Sequence, residues 1–512
     1  MKVLVTGGTG VVGTAAVRAL LAAGHSVRLF SRHAAADAAR WPGEVETHEG
    51  SIASTAEVSG AAEGCEVILH IAGIAEESPP DATFERINVD GTRNLVLEAQ
   101  RAGTKRFVHV SSLGADRGVS AYHASKLKAE DIVRTFPDEW LICRPGNVYG
   151  PGDEVISFLL QIVRSSPAAP VIDGGDQPFQ PLYAEDLGAA LAIAVERRDL
   201  SHQVLLLAGP EVTTTHDVLD RLARLTGRDP VRIPVPAALA SLGAQAASLL
   251  GLEVPLDDNK IDMLLEHNVI PPGEVNALTD VLGVRPTTLD MGLSRLANSQ
   301  PEQFPREGTG PLTMRHYIAP LRTVRLPPAG LFADFRRHFF EIVPESTMGP
   351  AGEPVNVPRL EKGATLTLGL PMRGNVQVRV AEITDTALTL VTVAGHPLAG
   401  SVVFRFAGTP GQDLRFEVET CDRAASLPDF LAMLPLGNFL KDWNWTTVAR
   451  RAAELAGEPA PVEVMTDERT LSESEEREAL RQLQERVSDL NRGEEPGLRE
   501  EAKARIEEAV RT

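Results

Sequence analysis

The sequence predicts an α/β fold. A doubly wound parallel sheet is followed by an α+β unit in which antiparallel strands are closed by a long C-terminal helix. Three observations predict it. A β-forming run, Val3-Leu4-Val5-Thr6, enters a turn carrying Gly7, Gly10 and Gly13, and leaves it in a helix-forming segment, residues 14–23, stopped by Gly24. Strand-like and helix-like stretches then alternate to about residue 150, the pattern of a parallel sheet with crossover helices. Beyond residue 310 the pattern changes to β-rich runs divided by short turns.

Residues 26–30, 45–49, 65–73, 106–110 and 140–143 read as the further strands of the first sheet, and 84–102 as a helix ended by Gly103. The glycine turn, Ser31-Arg32, Ala72-Gly73, Ser111-Ser112 and Pro145-Gly146 all follow strand ends. In a parallel sheet these ends share one edge, which is where ligands bind.

The glycine turn has the chemistry of a pyrophosphate site. A strand turning sharply into a helix leaves the first helical N–H groups unpaired and positively polarised. Gly7 permits the turn, Gly10 lets a phosphate reach the backbone, and Gly13 lets the helix close on the strand. At the end of the second strand a ribose 2′-hydroxyl calls for an acid and a 2′-phosphate for an Arg. This chain has Ser31-Arg32 and no acid before Asp37, which favours NADP(H) over NAD(H), with Arg32 on the 2′-phosphate and Arg28 or His33 assisting.

Tyr122-His123-Ala124-Ser125-Lys126 runs into a helical segment, so Tyr122 and Lys126 fall on one face, one turn apart. A phenol titrates near a pKa of about 10 and is a weak base at neutral pH. A neighbouring ammonium and a cationic nicotinamide favour the phenolate. Tyr122 is then the acid/base, Lys126 its tuner and a ribose ligand, and Ser112 the group that orients the reacting oxygen.

Taken together, Thr6-Gly7-Gly8-Thr9-Gly10-Val11-Val12-Gly13, Asn88-Val89 with Gly91-Thr92 and Asn94, the Ser-Ser strand end, Tyr122-x-x-x-Lys126 and Arg144-Pro145-Gly146-Asn147-Val148-Tyr149-Gly150 resemble the extended short-chain dehydrogenase/reductase superfamily. The resemblance implies a Rossmann sheet that binds NAD(P), and a catalytic set carried onto Ser112, Tyr122 and Lys126, with Ser111 as the alternative serine. Asn88 either shapes the site or packs a helix on the sheet. The expected cofactor contacts are Gly7, Thr9, Gly10, Val11, Val12, Gly13, Arg32, Ala72, Gly73, Tyr122, Lys126, Pro145, Asn147 and Val148. Two departures stand out. Ser51 replaces the acid that the family often places near the adenine. The connection from Ser112 to Tyr122 is short, which is similar to the atypical branch containing an NADP(H)-binding accessory subunit of respiratory complex I. Three functions stay open: an oxidoreductase acting on a small or apolar carbonyl or alcohol; a non-catalytic NADP(H)-bound assembly or ligand-binding protein; and a sugar-nucleotide epimerase or dehydratase.

The region of about 151–300 is expected to cap the nicotinamide end of the first domain, 1–300. In it Asp186 reads as a cap or structural acid, Thr215 as a helix cap, and Arg232 as a basic group singled out by composition alone. The segment from Pro301 to Pro311 reads as a linker. Runs near 365–368, 376–380, 388–393, 402–406 and 414–419, then a helix at about 440–455, make 311–462 resemble the START/polyketide-cyclase (SRPBCC) superfamily of helix-grip folds. That resemblance implies either an apolar ligand cavity or a filled core that serves packing or dimerisation. Residues 466–512 read as a charged helical tail, solvated or docked on a partner.

Composition sets the remaining bounds. A net charge of −20 argues against nucleic acid or an anionic membrane as partner. Cys65, Cys143 and Cys421 are far apart, without metal spacing, and fit a reducing cytoplasm; no signal peptide fits ahead of a strand starting at residue 2. The most apolar run, 237–252, is broken by polar residues and reads as a buried or surface helix and not as a membrane segment. A small-molecule substrate is expected, with a homo-oligomer compatible.

Overall fold

The computed structural model describes residues 1–41, 43–117, 120–166, 168–238, 266–343, 349–350, 360–370, 374–427, 429–430, 437–488 and 496–511. The run read as an apolar helix therefore lies, from residue 239 on, outside the described residues.

The first sheet has seven parallel strands: β1 (Lys2–Thr6), β2 (Ser26–Ser31), β3 (Val45–Glu49), β4 (Val67–His70), β5 (Arg106–Val110), β6 (Glu139–Pro145) and β10 (Gln203–Leu207), in the order β10-β6-β5-β4-β1-β2-β3. The order reverses between β1 and β4, so a crevice opens there at the carboxyl ends. Central strands are apolar on both faces because helices cover both: Val3, Val5 and Leu69 pack toward the helices Val11–Ala22 and Ala184–Glu196, and Leu4, Ile68 and Phe107 toward the helix Gly91–Ala102. Cys65 and Cys143 are buried free thiols.

A smaller layer lies over the carboxyl edge. It comprises the helices Val155–Ser165, Thr215–Thr226 and Leu289–Asn298, the short paired strands β7 (Val148–Tyr149) and β9 (Leu182–Tyr183), and the paired strands β8 (Ala168–Ile172) and β11 (Val231–Val235). They share a core containing Tyr149, Leu160, Val218 and Leu293. The helix cap is Thr214, not Thr215: its side chain accepts from the Asp217 N–H. Arg232 is taken up by Asp220.

The second sheet is antiparallel throughout, in the order β13-β14-β15-β16-β17-β18-β12-β19. Its strands are β12 (Thr309–Pro320), β13 (Gly349–Pro350), β14 (Thr365–Leu370), β15 (Gly374–Ile383), β16 (Ala387–Thr392), β17 (Leu398–Ala407), β18 (Arg415–Ala424) and β19 (Met465–Thr470). The helix Gly437–Leu455 packs on it, and Phe332, Phe335, Phe339, Phe404, Phe406 and Phe416 form an aromatic cluster between sheet and helices.

Two expectations about chain organisation change. The supposed linker is packed against the second sheet: Gln303 N–H donates to Thr392 O, and buried Glu302 pairs with Arg379. The charged tail docks on this chain itself. Its first residues form β19 on β12, and the helix Glu473–Ser488 lies on β15. The helix Pro496–Arg511 then returns to the first domain, where Ala502 and Ala509 join the core beside the helices Val11–Ala22 and Ala184–Glu196. Arg505 there pairs with Asp186, which also accepts from Thr287 N–H and Oγ1. Asp186 lies in the first helical turn as a buried structural acid. Among the described residues no helix is long and apolar enough to cross a membrane, and no cluster of metal-ligating side chains occurs.

Candidate active site

The glycine turn is built as its spacing predicts. Gly7 has φ +70°, and a Cβ there would lie 2.7 Å from Ala72 N, so only glycine makes the turn beneath the neighbouring strand end. A Cβ on Gly13 would fall 1.9 Å from Gly7 O, so helix and turn touch backbone to backbone. Gly10 differs: a Cβ would meet only Gly7 O, at 3.7 Å, and would point into open space. The helix Val11–Ala22 starts at Gly10 with no side-chain cap, leaving its first N–H groups directed at that space. Thr6 Oγ1 accepts from Ala72 N–H and contacts His70 Nδ1 at 2.8 Å, locking the turn to the end of β4.

All fifteen residues proposed from sequence line one cleft of about 1060 Å³. Gly7 to Gly13 form its floor, Arg32 one end, and Ala72 and Gly73 the passage beneath. Ser112, Tyr122 and Lys126 lie toward the other end, with Pro145, Asn147 and Val148 beside them, at and just beyond the end of the neighbouring strand β6. The cradle fits a dinucleotide on two counts. The space over Gly10 is clear of side chains, and Asn147 Oδ1 is buried in the wall without a protein partner among the described residues. A further orphan, Asn268 Oδ1, lines the cleft from the cap layer.

Ser112 follows the end of β5, and Tyr122 and Lys126 sit in the first turns of the helix Ala121–Val133, whose N-cap Ser120 accepts from the His123 N–H. Half-buried Tyr122 packs its ring edge-on to Phe84, and its hydroxyl meets Ser112. Ser111 is committed elsewhere: its hydroxyl donates to Glu130 at 2.6 Å, within a buried cluster that includes Arg144. Of the two serines, Ser112 is therefore the one free to face the phenol. Asn88, in the π-helical turn Glu85–Asp90, bonds both backbone groups of Ile74 and the Ser125 hydroxyl. It ties the loop after β4 to the Tyr122 helix, so it packs the helix and shapes the cleft at once.

The expected tuning of Tyr122 by Lys126 needs correcting for the protein alone. Burial pushes the phenol up to about 12, and the Ser112 hydrogen bond only partly offsets it. Lys126 donates to Val110 O at 2.7 Å, and burial lowers it to about 8 against the pull of Glu130. At neutral pH the ammonium persists, but it is directed at the backbone.

At the adenosine end Arg32 is exposed and, among the described residues, makes no ion pair. Arg28 does not assist it. Its guanidinium is consumed by Glu46 and by the carbonyls of Ala61 and Glu63, because its position is within β2 and not at its end. His33 is exposed beside the strand end and donates its backbone N–H to Ser31 Oγ. Sequence reasoning missed Arg40, which donates to Thr9 O and Thr14 Oγ1 at the rim of the glycine turn. It also missed the return of Asp37, which accepts from Ser31 Oγ at 2.5 Å. His123 and Glu266, which meet beside Ser112, were likewise not singled out.

Residues 3–206 match the model of the NAD dependent epimerase/dehydratase family. Ceramide reductase of Caulobacter vibrioides is 33% identical over 242 residues, which are 47% of this chain and 75% of that protein. NADH dehydrogenase [ubiquinone] 1 alpha subcomplex subunit 9 of Arabidopsis thaliana is 28% identical over 209 residues, 40% of this chain and 52% of that one. A 3 beta-hydroxysteroid dehydrogenase/Delta 5→4-isomerase of Mycobacterium tuberculosis is 34% identical over 183 residues, 30% and 49% respectively. The chain thus spans three-quarters of the first relative and about half of the other two. On this likeness and on a Rossmann cleft that carries the family's motifs, the chain belongs to the NAD dependent epimerase/dehydratase family and is an NAD(P)-dependent oxidoreductase/epimerase-like enzyme.

Proposed function

We propose that this chain is an NADP(H)-dependent reductase or dehydrogenase of an apolar carbonyl or alcohol. Tyr122 is its acid/base, Ser112 holds the reacting oxygen and Lys126 holds the cofactor ribose. The observation that carries the reading is the opening of Ser112, Tyr122 and Lys126 into the same cleft as the glycine turn. When bound, the nicotinamide supplies or accepts the hydride. The backbone amides at Val11 to Gly13 hold the diphosphate, and Arg32 with Arg40 meets the 2′-phosphate. Tyr122 gives its proton to the carbonyl oxygen on reduction and recovers it on oxidation, with Ser112 fixing that oxygen by a hydrogen bond.

The wall beyond Tyr122 supports an apolar substrate. Phe158, Leu159, Ile172 and Phe179 line it. Besides Arg32, the basic side chains lining the cleft among the described residues are Arg86, paired with Asp81, and Lys126, bonded to Val110 O. A sugar nucleotide would need cations for its own diphosphate. The names of two relatives, a ceramide reductase and a hydroxysteroid dehydrogenase, point to the same substrate class. We also propose the division 1–300, 311–462 and 466–512, with the third part serving to join the other two.

Titration with both cofactors tests the preference: NADPH is expected to bind at least tenfold tighter than NADH, and Arg32→Ala to erase the difference. Equal binding by the unaltered protein would refute it, and would indicate that Asp37 at the strand end selects a free 2′-hydroxyl. Tyr122→Phe is expected to lower turnover by about a hundredfold or more while sparing NADPH binding. Retained turnover would remove Tyr122 from the chemistry. NADPH held firmly with no turnover over a broad carbonyl panel would instead favour the assembly role of the complex I relative.

A further inference from the structure

Ser112 has a second neighbour that the Tyr122–Lys126 pair does not explain. His123 follows Tyr122 in the chain, and its ring turns back toward the same serine, with Nε2 at 3.1 Å from Ser112 Oγ. On the far side of the ring Nδ1 lies 2.5 Å from Glu266 Oε2 and 3.0 Å from Ser120 Oγ. Glu266 comes from a distant part of the chain and is fixed by accepting the Ser120 backbone N–H at 2.8 Å. The imidazole is buried, with 1% of its side chain exposed, whereas the Glu266 side chain is 14% exposed and lines the cleft. Room for the ring is built in: a Cβ on Gly114 would fall 2.7 Å from Nε2, so a residue other than glycine there would push the imidazole off Ser112.

We infer that His123 and Glu266 form a proton relay that connects Tyr122, through the Ser112 hydroxyl, to the edge of the cleft. The inference rests on Tyr122 being the acid/base. With its proton on Nδ1, between the Glu266 carboxylate and the Ser120 hydroxyl, the ring presents the Nε2 lone pair to Ser112. In alcohol oxidation, once the carbonyl product has left and the single Ser112 proton is released from the substrate oxygen, Tyr122 passes the proton gained from substrate to Ser112 Oγ as the Ser112 proton moves to Nε2. A phenolate and an imidazolium result, the latter paired with the Glu266 carboxylate. In reduction the phenolate left by the substrate is neutralised by the same imidazolium, formed when the ring takes a proton from water at the cleft edge beside Glu266: Nε2–H passes to Ser112 and Ser112 O–H to the phenolate, leaving the neutral ring with its proton on Nδ1. Only protons move along this chain, so the electron count of each residue is unchanged.

The electrostatics agree. Tyr122 is pushed up by burial and Lys126 is directed at a carbonyl, so the phenol needs another acceptor to give up a proton. The charged groups facing His123 are Glu266, which favours its cation, and Arg117, which opposes it; burial outweighs both and holds the ring below its ordinary value, neutral at rest. His123 touches no reacting atom in this arrangement. It is a positioning residue that acts through Ser112.

The test reads the ring directly, in the full chain without cofactor. Nitrogen-15 histidine spectra, with the His123 signal assigned by its loss in His123→Gln, are expected to show the proton on Nδ1 at pH 7.5. Glu266→Gln is expected to shift it toward Nε2, and this variant keeps a side chain of the same size where folding is at risk. A wild-type ring carrying its proton on Nε2 overturns the inference. With NADPH and 2-decanone as probes, His123→Gln and Gly114→Ala should lower kcat by about tenfold or more and leave KM for NADPH within twofold. Imidazole in the buffer should restore part of the rate to His123→Ala. A wild-type kcat in His123→Gln also overturns the relay. Loss of turnover in Tyr122→Phe beside that result would leave the proposed function standing, whereas an Nδ1 proton with full turnover in Tyr122→Phe would overturn the function and not the ring geometry.

Discussion

Alanine at Gly13 and alanine at Gly10 should have opposite signatures, although the positions lie three residues apart in one motif. A Cβ at Gly13 falls 1.9 Å from Gly7 O and 2.7 Å from Gly7 C and Gly8 Cα. These are backbone atoms and cannot rotate away. Ordinary contact begins at 3.4 Å, so the helix Val11–Ala22 must retreat by about 1.5 Å from the turn. Overpacking of this kind costs about 1–3 kcal/mol. In a domain of this size that lowers the melting temperature by roughly 2–12 °C. The same retreat pulls the helix's first N–H groups off the diphosphate, so NADPH affinity falls too. At Gly10 the added methyl meets nothing closer than 3.7 Å and points into the cleft. Gly10→Ala should therefore melt within about 1 °C of the parent, consistent with an unstrained surface substitution, and still lose NADPH binding. Scanning calorimetry and fluorescence titration of NADPH on the same three proteins measure both. Equal melting temperatures for the two variants, or tight NADPH binding by Gly10→Ala, would refute the argument.

Arg505→Ala removes the cation paired with fully buried Asp186 and leaves Thr287 as its remaining described hydrogen-bond donor; it should cost about 3 kcal/mol, read by urea unfolding, and Asp186→Asn on top should recover part of the loss. His70 is buried between the hydroxyls of Thr6 and Thr92, and burial lowers its pKa from 6.5 to about 3. Below 6.5 the unfolded chain binds a proton that the folded one refuses, so His70 erodes stability as pH falls from 6.5 toward 3, by up to about 1.4 kcal/mol per unit. His70→Gln should flatten that part of the stability-versus-pH curve, and an unchanged slope would show that His70 is charged in the fold. Arg32→Ala should cost NADPH affinity without moving the melting temperature, because among the described residues the Arg32 side chain makes no ion pair.

The first sheet and its cleft were legible because their signals are local. Gly7, Gly10 and Gly13 act within one turn, and each strand end marks itself by small residues. What was missed depends on chain distance. β12 starts after Gly308 and contains Gly310 and Pro311, so the sequence reads as a linker, yet its partner β18 lies a hundred residues on and supplies the ladder that makes it a strand. Arg28 and Arg40 are both arginines near the second strand. Only the backbone path decides that the first meets Glu46 and the second the glycine turn. Glu266 reaches His123 across 143 residues, and no spacing rule announces that. The helix Pro496–Arg511 hides its docking face because that face is made of Ala502, Ile506 and Ala509, too small and too few to stand out from the charge around them.

That last helix bears on how the protein comes to be made. The helix Val11–Ala22 is synthesised long before residues 496–511, and one of its flanks stays uncovered until these have left the ribosome. A nascent chain halted between about residues 300 and 496 should expose that flank, and Asp186 without its Arg505 partner, to chaperones and proteases. For the same reason a fragment ending near residue 300 should be poorly soluble by itself and improve when a peptide of residues 496–511 is supplied separately.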